Sequence, residues 1–137
     1  MPCTIIAFLS RKPGLTPTEF KTYYETTHIP LLKDIAGAHF PIAHKRFYLP
    51  RARVSDAADT DHSNTAYPAP ILAGDAAEFQ YDVYAELTFR DVEHLGAFHG
   101  ALMADGERLA ADEERFLDRS LIRAVRVEEP VVAKVDE

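Results

Sequence analysis

The residue of this chain best suited to chemistry is His28, which closes the run YETTH within residues 11–32. An imidazole titrates close to neutral pH, so His28 could take a proton from a substrate or return one. Tyr24 lies four residues earlier and shares a face with His28 if the segment is helical. We expect this ring at the end of an apolar groove. The alternative is a core histidine that bonds only backbone carbonyls.

Two further histidines are candidates for the same chemistry. His99 falls on the predicted inner stripe of a later helix, where it either lines the same cavity or only fills space. His44 begins an alternating strand; if it faces the helices, Arg46 and Tyr48 share that side and could meet a phenolate or carboxylate. The opposite register places them in an interface or in solvent. Expected substrate contacts, besides Arg46 and Tyr48, come from the aromatic residues Phe20, Tyr24, Tyr81 and Phe98.

Other polar side chains are expected to take no part in chemistry. His62 and His94 are predicted to be exposed, and residues 112–114 are predicted to form a solvated acidic helix face. No HExxH or CxxC motif occurs, and histidines five residues apart do not share a helix face, so no metal site is predicted. No glycine-rich nucleotide loop occurs either. We therefore expect a protein that uses no cofactor.

The helix that must position His28 has clear start and stop signals. Thr16 is a good N-cap, Pro17 suits the first helical position, and Glu19 completes a capping box. These signals predict a helix over residues 16–28. Pro30 lacks the N–H that a continuing helix needs, so we expect a stop or kink near Ile29 and a short second piece over residues 31–36.

The remaining elements predict an α+β fold. Strands are expected at residues 3–10, 43–49, 78–89 and 120–128, and helices at residues 92–102 and 107–117. The order β-α-β-loop-β-α-β fits a ferredoxin-like, four-stranded antiparallel sheet with helices on one face. Residues 1–130 form a single domain, with a lid-like loop at residues 52–77 and a loose tail at residues 131–137.

The first strand is apolar on both of its faces, so its second face needs a cover as well. A second copy of the chain, packed sheet against sheet, is the simplest cover, and it predicts a homodimer with a shared barrel-like core.

Composition narrows the class of partner. The chain has 137 residues, 47% of them hydrophobic, and a formal net charge of −7. Such a charge argues against nucleic acid and anionic membrane surfaces as partners. The single cysteine, Cys3, excludes an internal disulfide framework, and no secretion signal or membrane span is visible, so a cytoplasmic location is expected.

The turn, the cap and the histidine together resemble the EthD-domain family. The matching positions are Lys12, Pro13, Gly14, Thr16, Phe20, Tyr24, His28 and Pro30. Residues 112–120, DEERFLDRS, resemble the acidic stretch that this family carries before its last strand. The resemblance implies a dimeric α/β barrel with a cavity between sheet and helices.

The same resemblance implies a cofactor-free enzyme that tailors aromatic polyketides. We expect a lyase of the decarboxylase or dehydratase type, acting on an aromatic polyketide or related polyphenol through general acid/base catalysis by His28. The alternatives are a polyketide cyclase, a cofactor-free anthrone-type monooxygenase, and a non-catalytic accessory protein that binds aromatic small molecules.

Overall fold

The helices of this protein cover one face of a four-stranded antiparallel sheet, as the sequence predicts. The computed structural model describes residues 1–136. The strands are β1 (Cys3–Leu9), β2 (Ala43–Tyr48), β3 (Val83–Phe89) and β4 (Arg123–Val127), in the spatial order β2-β3-β1-β4. The helices are α1 (Pro17–Tyr23), α2 (Ile29–Ala36), α3 (Val92–Ala104) and α4 (Gly106–Phe116).

The two central strands present alternate residues to the helices. Cys3 pairs with Phe89 and Leu9 pairs with Val83, and all four side chains are buried on the helix side. The in-between positions face away from the helices. That second face carries the apolar side chains Ile6, Phe8, Phe47, Tyr84, Val125 and Val127. Phe47, Val125 and Val127 are exposed in the single chain.

The core consists of two apolar clusters that tie the helices to the sheet. The first joins Leu9 and Val83 of the sheet to the rings of Phe20, Tyr24 and Phe116. The second lies at the other end of the strands and includes Cys3, Leu32, Ala36, Phe89 and Phe98. Burying one such large side chain is worth about 1.5–3 kcal/mol, so these clusters fix how the helices lie on the sheet.

A π-helical turn, Tyr24–His28, joins α1 to α2. Of the two outcomes expected near Ile29, a stop or a kink, the stop is wrong: the helical run continues, because Pro30 lies in the first turn of α2, where a missing N–H is tolerated. The N–H of Ile29 bonds the carbonyl of Tyr24, five residues back, which widens the turn ahead of the proline. His28 therefore lies inside a continuous helical run, and the predicted position at a helix end is wrong.

Two of the predicted strands begin several residues before the strands in the structure. β3 starts at Val83 instead of residue 78, because β1 ends at Leu9 and β2 ends at Tyr48, which leaves residues 78–82 without partner strands. A short 3-10 turn, Ala76–Glu78, occupies the start of the predicted strand. β4 starts at Arg123 and follows another 3-10 turn, Arg119–Leu121.

The inner face of α3 differs from the predicted one. His99 is exposed, so its predicted place on the inner stripe is wrong, while His94 is buried although it was expected at the surface. The backbone N–H of Arg90 donates to His94 Nδ1, and Nε2 lies 3.1 Å from the carbonyl oxygens of His39 and Phe40. His94 is thus a structural histidine that ties α3 to the turn before β2.

The long connection between β2 and β3 is irregular, as predicted, but it is anchored by buried polar groups. Arg51 donates to the carbonyl oxygens of Tyr67, Phe79 and Tyr81, while Arg11 donates to the loop as well as to buried Asp82. The lid role of residues 52–77 stays a prediction.

After β4, residues 128–136 have no regular element and are exposed. Glu137, the end of the predicted tail, lies outside the described residues. Within residues 1–136, no helix combines the length and the apolar character that crossing a membrane requires.

Candidate functional site

The candidate site is built on a buried pair between His28 and Asp112. His28 Nδ1 lies 2.7 Å from Asp112 Oδ2, and only 6% of the histidine and 8% of the aspartate are exposed. The π-helical turn supplies the histidine and α4 supplies the carboxylate, across 84 positions of sequence. The expectation that Asp112 belongs to a solvated face is wrong, because α4 turns this side chain toward the helix layer.

Tyr23 holds the other oxygen of the same carboxylate. Its hydroxyl donates to Asp112 Oδ1 at 2.6 Å. Burial, together with this hydrogen bond to Asp112, raises the pKa of Tyr23, so the phenol keeps its proton. Aromatic rings enclose the imidazole: the centroid of Phe116 lies 4.7 Å away and that of Tyr24 lies 5.3 Å away. The carboxylate is therefore fixed by two donors inside an aromatic shell.

This geometry suits His28 to proton transfer. An ionised carboxylate can only accept, so Nδ1 carries a proton and donates it to Asp112. In the neutral ring, the lone pair then lies on Nε2, which has no hydrogen-bond partner among residues 1–136. A base oriented by a carboxylate on its far side is the arrangement that activates histidines in many unrelated enzymes.

His44 and Tyr24 form a second polar pair on the sheet side of the helix. Tyr24 Oη and His44 Nε2 are 3.5 Å apart, at the outer limit for a hydrogen bond. Burial, with smaller contributions from Arg46 and His28, lowers the pKa of His44 to about 4. His44 is thus neutral at neutral pH. Its Nδ1 is fully buried and has no hydrogen-bond partner within the described chain.

Arg46 lies on the same side of β2, and its charge is already matched. Its Nε and Nη2 donate to the two carboxylate oxygens of Glu25 at 2.6 and 2.8 Å. The hydroxyl of Tyr48 donates to Glu25 Oε2 at 2.5 Å. Hydrogen bonding to Arg46 lowers the pKa of Glu25, and burial together with the bond to Glu25 raises the pKa of Tyr48. The group is half-exposed, with 21% of the Arg46 side chain and 33% of the Glu25 side chain accessible.

A cavity lies near the site, and His28 is not among the residues that line it. This cavity of about 400 Å³ lies between α1 and the end of β2; its walls include Phe20, Lys21, Tyr48 and Arg51. The centroid of the Tyr24 ring lies 6.0 Å from the centroid of Phe20 and 6.1 Å from that of Tyr48. One aromatic layer, the ring of Tyr24, therefore lies between this cavity and His28. His28 lines none of five cavities of about 370–720 Å³ that open on the surface. The apolar groove expected beside His28 stays a prediction.

The structure brings most of the predicted site residues together. The ones that share this side of the sheet are His28, Tyr24, Phe20, His44, Arg46 and Tyr48. Three others lie apart. His99 is exposed, Phe98 belongs to the second apolar cluster, and Tyr81 contacts Phe8 on the face of the sheet that points away from the helices. Tyr81 departs from the predicted alternation because it precedes β3 and is not held in its pleat.

Sequence reasoning missed three residues of the site: Tyr23, Glu25 and Asp112. A signal existed for Asp112, because it lies three residues after Leu109 and four before Phe116, and helical spacing puts it on the same face as these two apolar residues. No local signal identifies Glu25, since its partner Arg46 lies 21 positions away on a different element. Within residues 1–136, no group of three or more His, Cys, Asp or Glu side chains is arranged to hold a metal ion.

Comparisons with known proteins agree with the fold and with the family that the sequence resembles. The family model described as the EthD domain matches residues 12–120. An EthD-like protein from Ralstonia eutropha JMP134 has a similar crystal structure, with a TM-score of 0.53 and 17% identity over 99% of this chain and 97% of that one. An ethyl tert-butyl ether D (EthD) family protein from Bacillus halodurans C-125 gives a TM-score of 0.51 and 20% identity over 95% and 100% of the two chains. No curated protein matches the chain.

Proposed function

Because the chain belongs to the EthD domain family and places a carboxylate-held histidine among aromatic rings, we propose that it is a cofactor-independent lyase. Its substrate is an aromatic polyketide or a related polyphenol. The single observation that supports this proposal is the buried contact of 2.7 Å between His28 Nδ1 and Asp112, which leaves Nε2 as the available base. Acid/base help of this kind is worth about 10²–10⁴-fold in rate.

Two lyase reactions fit a single histidine. In a dehydration, Nε2 takes the proton next to a ketone, the electron pair forms an enolate, and hydroxide leaves the β carbon and recovers the proton as water. In a decarboxylation, the carboxylate of a β-keto acid leaves as carbon dioxide, the histidinium protonates the enolate that remains, and the imidazole regains its proton from water. Both reactions return the enzyme to its starting state without an oxidant. Cyclisation and cofactor-free oxygenation remain alternatives, because each also begins with proton removal.

A second candidate function is non-catalytic binding of an aromatic molecule. It is favoured by one specific observation: the cavity of about 400 Å³ beside Phe20 and Tyr48 has the size of a small-ligand pocket but does not touch His28. For catalysis, the ring of Tyr24 has to move aside so that a ligand in this cavity reaches Nε2.

The deciding experiment compares the wild type with His28→Ala on two model substrates. One is a β-hydroxytetralone that loses water to give fluorescent naphthol, and the other is a tetralone β-keto acid that loses carbon dioxide. We expect the wild type to accelerate at least one reaction and His28→Ala to lose about 10²–10⁴-fold in rate while still binding naphthol. Naphthol binding without acceleration of either reaction would favour the accessory binder.

We also propose that a second copy of the chain is its partner. The face of the sheet opposite the helices carries Ile6, Phe8, Phe47, Tyr84 and Val125, and a patch of this kind needs a cover. On the same face, Lys45 and Glu86 are paired in register and supply complementary charges. Light scattering should give the mass of a dimer for the wild type. It should give the mass of a monomer for Phe47→Glu, and a monomeric wild type would contradict the proposal.

A further inference from the structure

The charges around the candidate base point to the kind of substrate it accepts. Arg46 lies on the side of the sheet that faces His28, with its Cζ 6.0 Å from the centroid of the Tyr24 ring, and its three nitrogens already have partners. Nε and Nη2 bind Glu25, and Nη1 donates to the carbonyl oxygen of His44 at 2.7 Å. A guanidinium that already binds an internal carboxylate through two hydrogen bonds cannot bind a second carboxylate, from a substrate, in the same way.

Glu25 is held firmly in that fork. The Tyr48 hydroxyl adds a third hydrogen bond to its carboxylate, and the hydrogen bonds from Arg46 lower the pKa of Glu25. Glu25 is therefore an anion at neutral pH. It occupies the place at Arg46 that the carboxylate of a substrate would take.

The second carboxylate of the site lies on the other side of the base. Asp112 accepts from His28 and from Tyr23, and Arg115, whose guanidinium lies close to the Tyr23 hydroxyl, is an exposed residue. Lys21 is exposed and lies beyond the ring of Tyr48, with its Nζ 5.0 Å from the centroid of that ring. A negatively charged substrate would thus approach two carboxylates, and the cations left to offset their charge, Lys21 and Arg115, are exposed residues that solvent screens.

We infer that this site selects an uncharged substrate, a hydroxylated aromatic ketone and not its carboxylic acid, and that Glu25 is the residue that rejects the acid. The inference rests on the proposed function and narrows it. Between the two lyase reactions it selects dehydration, because a decarboxylase must bind the carboxylate that this site excludes.

Binding of a matched pair of probes tests the inference without relying on turnover. The probes are a hydroxynaphthoic acid, which is an anion at neutral pH, and the carboxamide of the same shape. We expect the wild type to bind the carboxamide about tenfold more tightly, measured by fluorescence titration. Glu25→Gln keeps the shape of the side chain but frees Arg46. In this variant, the affinity for the acid should increase about tenfold, and the affinity for the carboxamide should change by less than about threefold.

A control variant separates this effect from the net charge of the protein. Glu107→Gln removes the same charge from an exposed position in the first turn of α4 and should change neither affinity by more than about twofold. Thermal melting confirms that each variant is folded. If Glu25→Gln does not fold, Tyr48→Phe takes its place. Tyr48→Phe removes one hydrogen bond to Glu25 without changing the charge. The affinity for the acid should then increase by less than it does in Glu25→Gln, but by more than the affinity for the carboxamide.

The outcomes distinguish the two levels of the proposal. If the wild type binds the acid as tightly as the carboxamide, or if no variant shifts the ratio of the two affinities, the inference on charge is wrong while the aromatic site stands. If neither probe binds to the wild type, both the inference and the proposed function fail.

Discussion

Two buried polar clusters in this protein look alike in composition and differ in how completely they are paired. In the first, Asp82 lies between two buried arginines, Arg11 and Arg51, on the loop side of the sheet. In the second, Asp112 holds His28 between α4 and the π-helical turn. The arginines donate to backbone carbonyl oxygens as well as to the carboxylate. Arg51 Nε is buried without an aligned hydrogen bond, but it lies 3.0 Å from Asp82 Oδ1, so its charge is offset.

The His28 cluster is only partly paired. Nε2 of His28 has no hydrogen-bond partner among residues 1–136, and the contact between Tyr24 and His44 is long. Within the same residues, His44 Nδ1 is buried with neither a hydrogen bond nor an ion pair, unlike Arg51 Nε. Buried polar groups that stabilise a fold are normally satisfied, and an unsatisfied one requires an explanation. The difference suggests that the Asp82 cluster holds the loop in place, while the His28 cluster keeps polar atoms available for a ligand.

The largest expected effect tests the structural cluster. Asp82→Asn leaves two buried guanidinium groups without a carboxylate, and we expect a loss of about 3–5 kcal/mol in the free energy of unfolding. Urea denaturation measures this loss. The matched control is Asp34→Asn at the exposed pair with Arg108, which should change stability by less than about 1 kcal/mol. A loss no larger than that of the control would show that the loop does not depend on Asp82.

The next prediction concerns the dependence of stability on pH. The pKa of His44 falls from 6.5 to about 4 on folding, so between these values the unfolded chain binds a proton that the folded one refuses. Above pH 6.5, His44 is neutral in both states and does not lower the free energy of unfolding. As the pH falls toward 4, the unfolded chain gains a proton there and the free energy of unfolding decreases by about 2–3 kcal/mol. His44→Gln should flatten the curve of unfolding free energy in this window. Parallel curves for the two proteins would contradict a buried neutral His44.

A smaller effect distinguishes a positioning role of Asp112 from a structural one. Asp112→Asn keeps the size of the side chain but removes the charge that holds the proton on Nδ1 of His28. We expect a loss of about 10–100-fold in the rate of the dehydration, with a changed pH profile and a changed tautomer in the nitrogen NMR spectrum of His28. If the rate falls only in proportion to the folded fraction, Asp112 acts through stability alone.

The smallest expected effect comes from Tyr23→Phe. This change removes the hydrogen bond of 2.6 Å to Asp112 and leaves the second donor, His28, in place. We expect a loss of about 1 kcal/mol in stability and less than about threefold in rate. A loss of rate as large as that of Asp112→Asn would mean that the tyrosine and the aspartate act as one unit.

How much of this could be predicted from the sequence is clearest in the helical run. Thr16 and Glu19 form the predicted capping box, and each side chain bonds the backbone N–H of the other residue. The same local reasoning failed at Pro30, because a π-helical turn absorbs the missing N–H without ending the helix. On α4, the spacing of Leu109 and Phe116 already placed Asp112 on the inner face, but its acidic neighbours made it look solvated.

By itself, the amino-acid sequence determined the elements, their order, the sheet with helices on one face, and the resemblance to the EthD domain family. Those features depend on spacing and backbone geometry within a few residues of one another. Only the tertiary structure decided that His28 meets Asp112, that Glu25 fills the fork of Arg46, and that Tyr81 turns to the opposite face. Such contacts depend on how far each helix is rotated on the sheet and on where neighbouring strands end, which no local pattern encodes.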